Sequence, residues 1–165
     1  MTVIRPMRWW DIEPVVVLER ELFEDAWSAE LFWSELAQGD TRHYLVATDD
    51  EQIVGYAGAA LYPPEGAVQT LAVAPAAQRR GLGRRLLADL LNEGRHRAVS
   101  EMTLEVRAGN VAAEALYRQF GFETVGLRRD YYEVSGADAH VMLVTGIDSD
   151  AYGEMLRRAR AAPAA

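Results

Sequence analysis

The chain contains no cysteine and no lysine. Without cysteine there are no disulfide staples, no thiolate metal sites and no thiol nucleophile, so any chemistry must use other groups. Without lysine, all 17 basic residues are arginine, a bias that means little until their distribution is considered. No uninterrupted apolar run approaches the roughly 18 residues that a membrane-spanning helix needs, and the opening MTVIRPMRWWDIEP has no apolar signal core. Repeats and low-complexity segments are also missing. These absences predict a cytoplasmic globular protein that does not engage a membrane.

What is present is 165 residues, half of them hydrophobic, enough to build one core without staples. The formal net charge of -8 is unevenly divided. Met1 to Thr70 holds 13 acids against 4 arginines, net -9, whereas Leu71 to Ala165 holds 12 against 13, net +1. An acidic first half disfavours nucleic acid, whose backbone demands a basic surface, and suits a cationic substrate if it lines a site. An acidic surface that simply faces water accounts for the same charge.

Asp11 can cap a helix running to about Phe23, with Ile12, Val15, Val16, Leu18, Leu22 and Phe23 on one stripe, and Ser28 can cap a second through about Ala37. The EDAW segment between them reads as a loop over a site. HYLVATD and IVGYAGAAL form a strand pair, and Ala67 to Val73 a third strand after the Pro63-Pro64 break. From Pro75 onward strands and helices alternate: a helix from Gly81 to about Arg97, the strand MTLEV, a helix from Val111 to Phe120, then strands from Glu123 to about Glu133 and from His140 to Thr145. Ser149 to Ala165 reads as a terminal helix that frays at AAPAA. An antiparallel opening followed by strand-helix-strand units predicts a mixed α/β (α+β) fold: one twisted sheet of about six to seven strands with helices on both faces.

In LAVAPAAQRRGLGRRLL a strand ends, the chain turns and a helix starts at or near Gly81. Glycines there permit close backbone approach, while unpaired N–H groups and the positive end of the helix dipole face whatever sits in front. Arg79, Arg80 and Arg84 add fork donors suited to phosphate oxygens. The loop lacks the Lys-Ser/Thr pair of a P-loop, and Leu86 stands where a dinucleotide fingerprint wants glycine or alanine. A tight turn with exposed arginines on an ordinary helix is the plainer explanation of the same residues.

The spacing Gln78-x-x-Gly81-x-Gly83, followed by LEVRAGNVAAEALYRQFGF, resembles the GCN5-related N-acetyltransferase (GNAT) family, and with LRRDYY and DAWS resembles its RimI-type ribosomal protein alanine N-acetyltransferases. The resemblance spans Thr2 to Ile147, which divides the chain into an N-acetyltransferase domain over 1–148 and a C-terminal helical tail over 149–165. It implies acetyl-coenzyme A as cosubstrate, with the pyrophosphate held by Gln78, Arg79, Arg80, Gly81, Leu82, Gly83 and Arg84. By the same resemblance the strand Leu71, Ala72 and Val73 lies along the pantetheine arm, and Asn110 contacts the cofactor. Capping of the following helix accounts for Asn110 equally well.

The resemblance further assigns Glu105 as proton acceptor and Tyr117 as general acid toward the departing sulfur. A Glu105 paired with Arg107 on the same strand face, and a Tyr117 that is simply a core aromatic at helical spacing, are the alternatives. Trp27, Tyr131 and Tyr132 fall near the peptide groove of the family, although exposed strand aromatics also explain the tyrosines. Trp33 lies near the same loop, and Trp9 and Trp10 read as packing. The histidines, at 43, 96 and 140, have no ligand spacing, so no metal is expected. The implied acceptor is the N-terminal amine of a protein, most naturally a small-subunit ribosomal protein, acetylated by direct transfer in a ternary complex. A small cationic amine, or coenzyme A sensing without turnover, are the competing functions.

Overall fold

The structure, a computed structural model, describes residues 1–162. Seven strands form one sheet: β1 (Thr2–Pro6), β2 (Arg42–Asp49), β3 (Gln52–Tyr62), β4 (Glu65–Val73), β5 (Glu101–Arg107), β6 (Glu123–Arg128) and β7 (Ala139–Thr145). Five helices accompany them: α1 (Ile12–Leu22), α2 (Ala29–Leu36), α3 (Leu82–His96), α4 (Val111–Gln119) and α5 (Asp150–Ala161). The strand order is β1-β2-β3-β4-β5-β7-β6.

Period-two alternation in the central strands sends side chains to two separate cores. Leu45, Ala47, Ala57 and Ala59 face α3, α4 and α5, whereas Tyr44, Val46 and Tyr56 face α1 and α2. Helices therefore cover both faces, as the alternation predicts. Leu82, Leu86, Leu87, Leu90 and Leu91 form the buried stripe of α3. The closest passage in the sheet is at Gly58, where a Cβ would stand 2.3 Å from the buried Tyr44 ring. Gly58→Ala is expected to cost about 1–3 kcal/mol, read as a lowered denaturant midpoint at unchanged slope.

The structure departs from the sequence reading in four places. Strand β1 was not foreseen, because it is a short edge strand whose Val3 faces outward and whose last residue is proline. Asp11 does not cap α1 with its side chain; it reaches back to the Arg8 N–H (2.7 Å) and clamps the Arg5 guanidinium (2.7 and 2.8 Å). β6 stops at Arg128 instead of running to Glu133, because Asp130 turns the chain with φ 51° while the Asp138 carboxylate accepts its N–H. Only β4 and β5 pair in parallel; β7 inserts antiparallel between β5 and β6, burying Met142 and Val144.

The caps foreseen at Ser28 and Asn110 are present, and Ser149 caps α5. Helix α5 lies on α3 of its own chain: Leu156 and Ala159 are buried, the Tyr152 hydroxyl donates to the Phe120 carbonyl at 2.7 Å, and Arg160 reaches Asp89. The fraying expected over AAPAA falls mainly on residues 163–165, outside the described range. Among the described residues no helix is long and apolar enough to cross a membrane.

Candidate active site

Strands β4 and β5 pair from Glu65 opposite Glu101 only as far as Ala67 opposite Thr103. Beyond that point β4 stays with β3 and β5 stays with β7, so the two part company. Their facing edges, Val68 to Leu71 and Leu104 to Arg107, border a cavity of about 470 Å³. A one-residue bulge in β4 sharpens the divergence: Gly58 pairs with Thr70 and Ala59 with Val68, leaving Gln69 without a partner and lining the cavity. The Tyr44 hydroxyl holds the Gln69 side-chain oxygen at 2.7 Å.

Both residues expected to carry proton transfer line this cavity. Glu105 projects from β5 and faces Arg128 at 3.6 Å, not Arg107, the same-face partner that the spacing suggested. Arg107 instead bonds Asp25 at 2.9 Å and lies over the Tyr132 ring at 4.7 Å. Tyr117 is 8 % exposed and makes an edge contact with Phe122, so it is a core aromatic by packing. Its hydroxyl has no hydrogen-bond partner among the described residues, yet no buried side-chain polar atom is left unpaired, so that hydroxyl opens on the cavity. Burial, reinforced by the neighbouring Tyr132, pushes its pKa above the ordinary phenol value.

Past the end of β4, where none of Gln78 to Arg84 lines the cavity itself, Gly81 takes φ 75° and starts α3 with no side-chain cap, leaving the first-turn N–H groups open. A Cβ there would touch nothing, so glycine is required by the left-handed backbone and not by space. Arg79, itself at φ 64°, and Arg84 are exposed, Arg84 lining a separate cavity with Gln119 and Met155; Arg80 leans on Asp49 at 3.4 Å. Leu82 is buried in the core, so only its backbone faces the loop. The side-chain amide of Gln78 donates to the Val73 carbonyl at 3.0 Å, bracing the loop instead of pointing outward. At Gly83 a Cβ would meet Leu116 at 3.4 Å, an ordinary contact, so space alone does not demand glycine there.

Of the backbone strand residues, Leu71 lines the cavity, Ala72 is buried in the core under α1 and α2, and Val73 packs toward α3. Asn110 caps α4 through its Oδ1, which accepts the Ala113 N–H at 3.2 Å, and also lines the cavity. Trp27 lines it too, its ring tilted on Phe32 at 5.3 Å. Tyr132 belongs to the wall, but Tyr131 does not: it stands against Tyr132 and under Arg128 in the turn after β6, so the two are turn residues and not strand aromatics. Trp9 and Trp33 stack at 6.2 Å on the outer surface, about half exposed, so Trp9 is not the interior packing residue expected.

Two residues that the sequence reading did not single out matter here. Asp25, within the EDAW loop, accepts from Arg107, from the Ser135 hydroxyl (2.8 Å) and from the Val134 N–H (2.8 Å). It thereby ties the α1–α2 loop to the β6–β7 connection across the cavity. Burial works against its ionisation, but those bonds hold its carboxyl below the usual range. Glu19 is 3 % exposed and accepts from the Tyr56 hydroxyl (2.5 Å) and the Trp27 N–H (2.9 Å). Burial pushes its pKa up, against the pull of those two bonds. A signal for Glu19 existed: after Ile12, Val15 and Val16, position 19 continues the buried stripe of α1, and a carboxylate there is out of place.

Comparison with known proteins follows the same lines. Residues 8–122 match the acetyltransferase (GNAT) family. The chain is 48 % identical over 138 residues to the N-alpha-acetyltransferase RimI of Mycobacterium tuberculosis, covering 80 % of this chain and 85 % of that protein. It is 33 % identical over 144 residues to the Escherichia coli ribosomal protein bS18 alanine N-acetyltransferase, covering 86 % and 96 %. A crystal structure of the Escherichia coli ribosomal-protein-alanine N-acetyltransferase superposes with a TM-score of 0.80 at 33 % identity, covering 88 % of this chain and 94 % of that one. With a family match over most of its length and a splayed β4–β5 cleft beside an uncapped glycine turn, this chain belongs to the acetyltransferase (GNAT) family.

Proposed function

We propose that the protein transfers an acetyl group from acetyl-coenzyme A to the α-amine at the N-terminus of a protein, with a ribosomal protein as its natural acceptor. The observation that carries the choice of acceptor is the Asp25 strap. By joining the α1–α2 loop to Val134 and Ser135, it fixes against each other the two segments that carry the wall residues Trp27 and Tyr132. A cleft walled in this way favours the end of a polypeptide, and so an α-amine, over a lysine in mid-chain. The names of the Mycobacterium tuberculosis and Escherichia coli relatives support the same acceptor class.

The residues present fit the cosubstrate. The open N–H groups at Gly81 and the guanidinium groups of Arg79, Arg80 and Arg84 suit a pyrophosphate, and the unpaired edge of β4 suits an extended amide-bearing arm. When bound, acetyl-coenzyme A supplies an acetyl group activated as a thioester. The chain supplies the proton transfers. An α-amine has a pKa near 8, so the Glu105 carboxylate has a single proton to remove before the nitrogen lone pair is free. Tyr117, kept neutral by burial, holds its proton on the hydroxyl that faces the cavity and can give it to a leaving sulfur. The domain itself is proposed to span 1–148, with a tail over 149–165 whose helix α5 lies on α3.

The test is mass spectrometry of peptides carrying both a free α-amine and an internal lysine. Acetyl is expected on the α-amine alone. In Asp25→Ala the bonds joining these two segments are lost, and the KM for the peptide is expected to rise about tenfold, with lysine acetylation becoming detectable. Absence of any peptide product in the wild type, with coenzyme A still bound, overturns the reading in favour of a small amine acceptor or a sensor.

A further inference from the structure

Three carboxylates line the cavity, and two of them have a cation. Asp25 has Arg107 at 2.9 Å, and Glu105 has Arg128 at 3.6 Å. Glu19 has no ion-pair partner among the described residues, although it is the most deeply buried of the three. Buried carboxylates are ordinarily paired with a cation, because burial otherwise penalises the charge. The donors that Glu19 does have are neutral: the Tyr56 hydroxyl on Oε1 and the Trp27 N–H on Oε2. Each oxygen keeps a further acceptor position. Both donors come from elements that are themselves fixed, Tyr56 from the fully buried centre of β3 and Trp27 from the loop that walls the cleft.

From this arrangement we infer that Glu19 is the group that recognises the positive charge of the acceptor, taking its ammonium as it enters the cleft. The inference rests on the reading of the cavity as an acceptor cleft. An incoming ammonium supplies the cation that the protein withholds, so the desolvation cost of Glu19 is offset only when a cationic acceptor is present. A neutral or anionic terminus gains nothing there. Glu105 then takes the proton, and the nitrogen regains positive charge as it attacks the thioester carbonyl, so Glu19 faces a cation on entry and again during transfer and acts on KM more than on kcat. Besides Tyr56, the titratable and charged groups facing the same cavity are Asp25, Glu105, Arg107, Tyr117 and Tyr132.

Steady-state kinetics with an N-terminal peptide and acetyl-coenzyme A test this, on wild type, Glu19→Gln and Tyr56→Phe. Glu19→Gln keeps an acceptor for the Trp27 N–H but removes the charge, and is expected to raise the peptide KM about 10- to 100-fold while kcat and the KM for acetyl-coenzyme A stay within about threefold. Tyr56→Phe keeps the charge but removes a bond that favours it. The part of the acid limb of kcat/KM for the peptide that belongs to Glu19 should therefore move to higher pH in Tyr56→Phe and be missing in Glu19→Gln, leaving the limb set by Glu105 and the α-amine, changes that a purely structural carboxylate would not produce. An unchanged peptide KM in a Glu19→Gln protein that binds coenzyme A normally overturns the assignment. If that variant does not fold, an unmoved acid limb in Tyr56→Phe overturns it instead. A wild type that acetylates no peptide overturns the acceptor reading itself, and this assignment with it.

Discussion

Glu105→Gln is expected to lower kcat by about 10²- to 10³-fold at neutral pH while the protein remains folded and binds coenzyme A. Glutamine preserves the shape and one acceptor oxygen but cannot take a proton. The side chain sits on β5 between Leu104 and Val106, both buried, and is itself partly exposed and lines the cavity, so an isosteric substitution leaves the packing alone. The loss should shrink as the pH rises toward the α-amine pKa near 8, because an amine that is already neutral needs no base. Pairing with Arg128 as the sole role of Glu105 predicts a different outcome, an unchanged kcat at every pH. That pair is more than half exposed on the arginine side and contributes little to stability.

Tyr117→Phe is expected to reduce kcat by about 10²-fold or more, with the KM for peptide nearly unchanged. The hydroxyl is the single difference between the two side chains, and the ring contact with Phe122 survives. Thermal stability should hold or rise slightly, since the hydroxyl makes no hydrogen bond that the variant would forfeit. The sign of the pH effect follows from burial. A phenol whose pKa is raised stays protonated as the pH climbs, so Tyr117 should impose no alkaline decline of kcat below about pH 10. A decline that begins near neutral pH and disappears in Tyr117→Phe would remove Tyr117 from the role of proton donor.

Much of the candidate site was legible in the sequence, with the roles of its residues implied by the family resemblance. Glu105 and Tyr117 fall in short motifs whose local structure, a strand end and a helix face, follows from alternation and helical spacing. Gly81 could be read as an uncapped helix start because the turn and the helix are neighbours in sequence. Gln78 was readable as part of the loop but not in its orientation, which is decided by the Val73 carbonyl five residues earlier. The resemblance of the RRDYY stretch puts both Tyr131 and Tyr132 near the groove, yet after the turn at Asp130 only Tyr132 lines the wall. Glu19 and Asp25 were missed because their partners, Tyr56 and Ser135, lie 37 and 110 residues away.

By itself the sequence determined the alternation that builds the strands, the capped helices on both faces, the absence of thiol chemistry and the cationic glycine turn. Each of these is a property of neighbouring residues, set by steric preference, periodicity and charge. Tertiary structure alone decided that β4 and β5 separate after three paired residues, that β7 and not β6 takes the far edge of β5, and that Asp25 spans the gap. Strand pairing is a choice among distant hydrogen-bonding edges that no local pattern encodes. The cleft exists because β5 finds its full set of partners in β7 while β4 finds its own in β3, leaving between them two backbone edges with room for a substrate.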